Sequence, residues 1–89
     1  MKSIALAEGV YLQKNEGFTT LFDYNNSLYY SLDDVAGNIL EKILEQPNIE
    51  KAVEQLVTEY DVDEVRLIAD AQRLVNQLKK EALLQVEYD

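Results

Sequence analysis

The chain has 89 residues, 47% of them hydrophobic, and carries a net charge of -9 from 17 Asp and Glu against 8 Lys and Arg. That length suits one compact domain and not two, and the charge opposes phosphate backbones and anionic membrane surfaces. Cysteine and histidine are both absent, which excludes thiol nucleophiles, thiolate or imidazole metal sites, disulfides and the usual general base near neutral pH.

The opening MKSIALAEG has one lysine and a very short apolar run before Glu8. It is too small for a signal peptide, and no later segment is apolar enough to span a bilayer. The expectation is a cytoplasmic protein with no membrane partner, whose residues 1–9 and 87–89 fray. Strands are predicted over Val10–Lys14 and Thr19–Tyr24, separated by the turn-prone Asn15-Glu16-Gly17. A third follows at Leu28–Leu32, after Asn25-Asn26-Ser27, which suits a hairpin because asparagine tolerates positive φ. Alternation on this strand puts Leu28, Tyr30 and Leu32 on one face and Tyr29 and Ser31 on the other, and the first set is expected to point inward. A strand followed directly by a helix lies at the edge of a meander of three, with backbone donors and acceptors free to receive an extended peptide. The tyrosines are therefore either half-buried core aromatics or residues of such an edge.

Asp33 or Asp34 can cap a helix whose apolar residues are Val35, Ala36, Ile39, Leu40, Ile43 and Leu44. Gln46-Pro47 stops it, and Asn48 caps a second helix with Ile49, Ala52, Val53, Leu56, Val57 and Tyr60 on one face. After Asp61-Val62-Asp63 a third helix is predicted from Glu64 to Lys80, with Leu67, Ala71, Leu74 and Leu78 as its inner stripe. One flank of that stripe carries Ile68 and Val75, which either pack on another helix or line a groove beside strand three. The other flank carries Arg66, Asp70, Arg73 and Gln77. Asp70 lies within helical pairing distance of both arginines. Lys79 and Lys80 sit at the C-terminal end, where they oppose the helix dipole. The tail from Ala82 to Val86 is apolar enough to dock on the core. The outline is an α+β, winged helix-turn-helix-like fold, a three-stranded antiparallel meander followed by three helices.

Candidates for catalysis are few. Asp61-Val62-Asp63-Glu64 alternates acids as a calcium loop does, but the glycine and the distant glutamate of such a loop are missing, and capping explains acids at helix starts. Serines and tyrosines without a neighbouring base are weak nucleophiles, so an enzyme acting alone is not expected.

The run Leu21-Phe22-Asp23, the turn, Leu28-Tyr29-Tyr30-Ser31-Leu32-Asp33, then Ala36 and Ile39-Leu40, resembles the pattern of PqqD-like proteins. These are recognition elements for ribosomally made, post-translationally modified peptides. The likeness continues through Tyr60-Asp61-Val62-Asp63, Leu67, Asp70, Leu74, Leu78 and Leu83-Leu84. Its specificity lies in the order and spacing of many weak signals. Within the family, the paired tyrosines and Asp23 look most like the stand-alone leader-binding protein of lasso-peptide pathways. The resemblance implies a non-catalytic winged-helix protein with no cofactor. In it, the leader of a precursor peptide adds as a strand beside Leu28, Tyr29, Tyr30, Ser31 and Leu32 and lies against a helix wall of Arg66, Ile68, Asp70, Arg73 and Val75. It also implies partner enzymes: a cysteine leader peptidase with a cyclase in lasso systems, or a radical enzyme in the pathway to pyrroloquinoline quinone. Two departures concern turns: Asn25-Asn26-Ser27 replaces the usual hairpin glycine, and Ala82 stands where glycine is expected before the closing leucines. Asp33 replaces an asparagine and keeps the capping oxygen.

Other readings are a winged-helix regulator that binds DNA through the third helix and an acidic carrier protein. The first has only Arg66 and Arg73 among acids to offer a negative duplex. The second lacks a serine at a helix start for a prosthetic arm.

Overall fold

The computed structural model describes residues 2–46 and 49–88. The elements run β1 (Lys2–Leu6), β2 (Val10–Asn15), β3 (Phe18–Asp23), β4 (Leu28–Asp33), α1 (Asp34–Glu45), α2 (Ile49–Glu59), α3 (Glu64–Lys80) and β5 (Leu84–Tyr88). Strands β2, β3 and β4 form an antiparallel sheet in that order, and the three helices follow it, giving the winged-helix-like α+β arrangement.

The first hairpin turns tightly at Glu16-Gly17, where Gly17 adopts φ 85°. The second has a longer loop. Asp23 and Leu28 pair across its mouth, and the buried Asp23 carboxylate accepts hydrogen bonds from the backbone N–H groups of Asn25 (3.1 Å) and Asn26 (3.3 Å) and from Asn26 Nδ2 (2.8 Å). The aspartate of the Leu-Phe-Asp run thus folds the turn through its side chain, as Asx turns do. Asn25 then donates to the Glu8 carbonyl at 2.7 Å and ties the loop to the segment before β2.

Of the two possible caps for the first helix, Asp33 is the one used: its backbone is extended and its carboxylate accepts from the Ala36 N–H at 2.8 Å. Asp63 caps α3 in the same way through the Val65 N–H, at 2.9 Å. The proposed stop at Pro47 and cap at Asn48 lie outside the described residues. Helix α1 lies so close to β3 that a Cβ on Gly37 would overlap Thr19 Oγ1 and come within 2.8 Å of Thr19 Cβ. Ion pairs Lys14–Glu41 (3.1 Å) and Lys42–Glu59 (3.2 Å) link α1 to β2 and to α2.

The core forms where the inward faces meet. Leu21 from the sheet and Leu40, Ile43, Leu56 and Leu78 from the helices are the largest fully buried side chains. Each contributes roughly 1.5–3 kcal/mol through burial. At the end of α3, Ala82 N–H bonds to the Lys79 carbonyl (3.0 Å) and Leu83 N–H to the Leu78 carbonyl (2.9 Å), a Schellman cap with Ala82 at φ 61°. Buried Leu83 and Leu78 supply the apolar residues that accompany such caps.

The chain ends differ from the frayed segments expected from the sequence. β1 and β5 pair antiparallel from Lys2↔Tyr88 to Leu6↔Leu84, forming a separate two-stranded sheet with Ile4 and Leu84 buried. The ribbon continues one bond further, from Ala7 N–H to the Leu83 carbonyl at 3.0 Å. Positions 1 and 89 lie outside the described residues.

Candidate peptide-binding groove

Strand β4 has β3 on one side only, so its other edge carries an unpaired row of backbone groups. Helix α3 runs beside that edge, because Tyr30, half-buried on the helix-facing side, meets Gln77 through a 2.5 Å hydrogen bond from Nε2 to the phenol oxygen. Beyond this bridge the space between α1 and α3 opens into two adjoining hollows. The smaller, about 280 Å³, is bounded by Asp33, Ala36, Arg73, Leu74 and Gln77. The larger, about 430 Å³, extends toward Tyr60, Val62, Asp63, Arg66 and Leu67. Val35, Ile39 and Asp70 line both, making one continuous groove.

The groove is predominantly apolar with a few charges at its wall. Val35 and Val62 are 61% and 48% exposed, large values for valines beside the core of a folded chain. Tyr60 is held at the inner end by Asn38, whose Nδ2 donates to the phenol oxygen at 2.6 Å. Asp70 pairs with Arg73 at 3.5 Å, while Arg66 makes no ion pair among the described residues. Backbone donors and acceptors along one side and an apolar trough with sparse charges along the other suit an extended peptide.

The residues expected from the sequence fall into place unevenly. Arg66, Asp70 and Arg73 line the groove, and Leu32 is buried on the helix-facing side of β4. Tyr29 and Ser31 are exposed on the opposite face of the sheet. Leu28, expected inward, is 64% exposed; it lies next to the hairpin loop, at the far end of β4 from where α1 begins. Val75 is 6% exposed and belongs to the core, so it offers no wall to a ligand. Ile68 is half-buried and packed against the same core. Gln77, on the polar flank of α3, is the residue bonded to β4, and Arg66, Asp70 and Arg73 of the same flank line the groove between α1 and α3. Val35, Ile39, Tyr60 and Val62 were not singled out from the sequence as lining. The readable signal was the apolar residue placed two after the Asp33 cap and one before the Asp63 cap, at positions where a helix start is usually wet.

Free edge, groove and helix together define a winged-helix-like α+β fold. The chain belongs to the PqqD family: the family model described as coenzyme PQQ synthesis protein D matches residues 19–84. Comparison with curated proteins gives no match. Among solved structures, the chain is similar to a lasso peptide synthetase B1 complexed with its leader peptide, at 22% identity and a TM-score of 0.83 over 93% of this chain and 98% of that one. It is also similar to TbiB1 in complex with the TbiA(beta) leader peptide, at 23% identity and a TM-score of 0.81 over 94% and 96% of the two chains. At these identities the likeness is one of fold.

No helix among the described residues is long and apolar enough to cross a membrane.

Proposed function

We propose that this protein is a non-catalytic recognition protein that binds the leader of a ribosomally made precursor peptide and presents it to a modifying enzyme or leader peptidase. The leader adds as a strand to the free edge of β4 and rests its inward side chains in the groove between α1 and α3. The observation that carries this reading is the unpaired β4 edge lying directly beside a groove with exposed valines. Membership of the PqqD family supports it, and so does the leader peptide held by both similar solved structures. The similarity to a lasso peptide synthetase B1 favours lasso-peptide biosynthesis; the enzymes served on this reading are a cysteine leader peptidase and a cyclase, in the cytoplasm. The family's description favours a second reading, service to a radical enzyme of another peptide-modification pathway. In neither case does this chain supply chemistry or a cofactor.

Fluorescence anisotropy with labelled leader segments, taken from precursor peptides encoded beside the gene, tests the proposal. Binding is expected to be saturable, with a Kd between micromolar and nanomolar according to how much ordering the peptide undergoes. The leader that binds identifies the pathway. Asp70→Ala should weaken it roughly tenfold, the effect of losing one charged hydrogen-bond partner, with little change in melting temperature. Random duplex DNA at low salt should not bind. Binding of DNA without binding of any leader would overturn the assignment.

A further inference from the structure

The sheet face turned away from the helices is not explained by the groove. Register lines up Tyr11, Phe22 and Tyr29 across β2, β3 and β4, and Gln13, Thr20 and Ser31 in the next outward-facing row. Neither row contains a charged side chain, although 28% of the chain is charged. At the β2 end the aromatic row is closed on itself: Tyr24 from the hairpin loop stacks on Phe22 with centroids 6.1 Å apart and meets Tyr11 edge-on at 5.3 Å. At the β4 end Tyr29 is 73% exposed, and among the described residues no ring packs on it. It therefore stands at the free edge of the sheet with a neighbour on one side only.

We propose that Tyr29 is a specificity-determining residue that accepts an outward-facing aromatic or β-branched residue of the added peptide as its cross-strand neighbour. The inference rests on the reading of β4 as the docking edge and adds a second face to it. Side chains of a strand alternate, so half of those on a bound peptide point away from the groove. The one opposite Tyr29 comes within about 4.5–5.5 Å, measured between Cβ atoms, and becomes the fourth member of the row. A ring or a branched side chain there covers the exposed flank of the phenol, whereas glycine or alanine leaves it in water. The groove and Tyr29 thus read neighbouring peptide positions from opposite sides of the strand.

The test uses the full chain and a labelled synthetic leader segment encoded beside its gene, with each position of the segment changed to alanine in turn. Tyr29→Ser should weaken binding roughly two- to fivefold, the range for a cross-strand pair, while loss of its own pairing with Phe22 lowers the melting temperature by only a few degrees and leaves the protein folded at the assay temperature. Tyr29→Phe should bind as the parent does. At one peptide position the alanine change should weaken binding to the parent by a similar factor and have no further effect on Tyr29→Ser. Additive losses at every position, or equal affinity of Tyr29→Ser and the parent, would overturn the inference while leaving the leader-binding assignment in place. Failure of the parent to bind any leader removes both.

Discussion

Replacing Ala82 with glycine should stabilise the protein. Ala82 is the left-handed residue of the Schellman cap at the end of α3, with φ 61°, and its methyl group is exposed, so the substitution removes no packing. A left-handed conformation costs a non-glycine residue roughly 1–2 kcal/mol. Glycine removes that strain but enlarges the conformational freedom of the unfolded chain, which returns about 0.4–1 kcal/mol to the unfolded side. Taking the middle of each range, the net gain is about 0.8 kcal/mol, and for a chain of this length that corresponds to a rise of about 3–6 °C in Tm. Both hydrogen bonds of the cap use backbone atoms and are kept. Differential scanning calorimetry of the two proteins at one pH decides the matter. A Tm that is unchanged or lower for Ala82→Gly would refute the reasoning, since it would mean that the left-handed strain is not present or is relieved elsewhere.

The opposite sign is expected one layer away. Gly37→Ala should destabilise the fold by about 1–2 kcal/mol in chemical denaturation, because an overlap cost with Thr19 of about 2–3 kcal/mol outweighs the helix-propensity gain of about 1 kcal/mol, and adding Thr19→Ala should recover much of the loss. The hydrogen bond and the charge of Glu59 raise the Lys42 pKa above its ordinary 10.5. The stability so gained is whole below that ordinary value and fades as alkaline pH rises through the raised one. The difference in Tm between parent and Lys42→Met should therefore stay constant across the neutral range and shrink only in strong alkali.

Much of the fold was legible because it is written in local periodicity. The spacing of Leu67, Ala71, Leu74 and Leu78 sets α3, and alternation around Tyr30 and Leu32 sets β4. The strand formed by Lys2–Leu6 was not legible, since its partner is the opposite end of the chain and neither segment carries a turn signal pointing to the other. The wall of the groove was half legible. A helical stripe has two flanks, and periodicity does not say which one meets the neighbouring sheet edge. Apolar Ile68 and Val75 suited either helix packing or the groove wall; Val75 lies in the core and Ile68 packs against it, while Gln77 of the polar flank reaches β4. The two departures from the family's glycine pattern, Asn25-Asn26-Ser27 and Ala82, contain the two non-glycine residues with positive φ among the described residues, Ser27 and Ala82. Their backbone positions demand what glycine supplies without strain, so the pattern encoded conformation at positions where hydropathy was silent.

Charge in the groove follows from the same local rules. Asp33 and Asp63 lie at its rim, yet each already accepts a backbone N–H at a helix start, where the positive end of the dipole offsets its charge. Asp70 and Arg73 face each other across 3.5 Å and largely cancel at a distance. On the proposed function, the apolar hollow between Val35, Ile39 and Val62 and the hydrogen-bonding edge of β4 do most of the selecting, with Asp70 and Arg66 available for single directed contacts. A groove of this kind discriminates among peptides by the shape and spacing of a few side chains along an extended backbone. It needs no strongly charged ligand, which is how, on the proposed function, an acidic chain of net charge -9 selects a peptide without relying on bulk attraction.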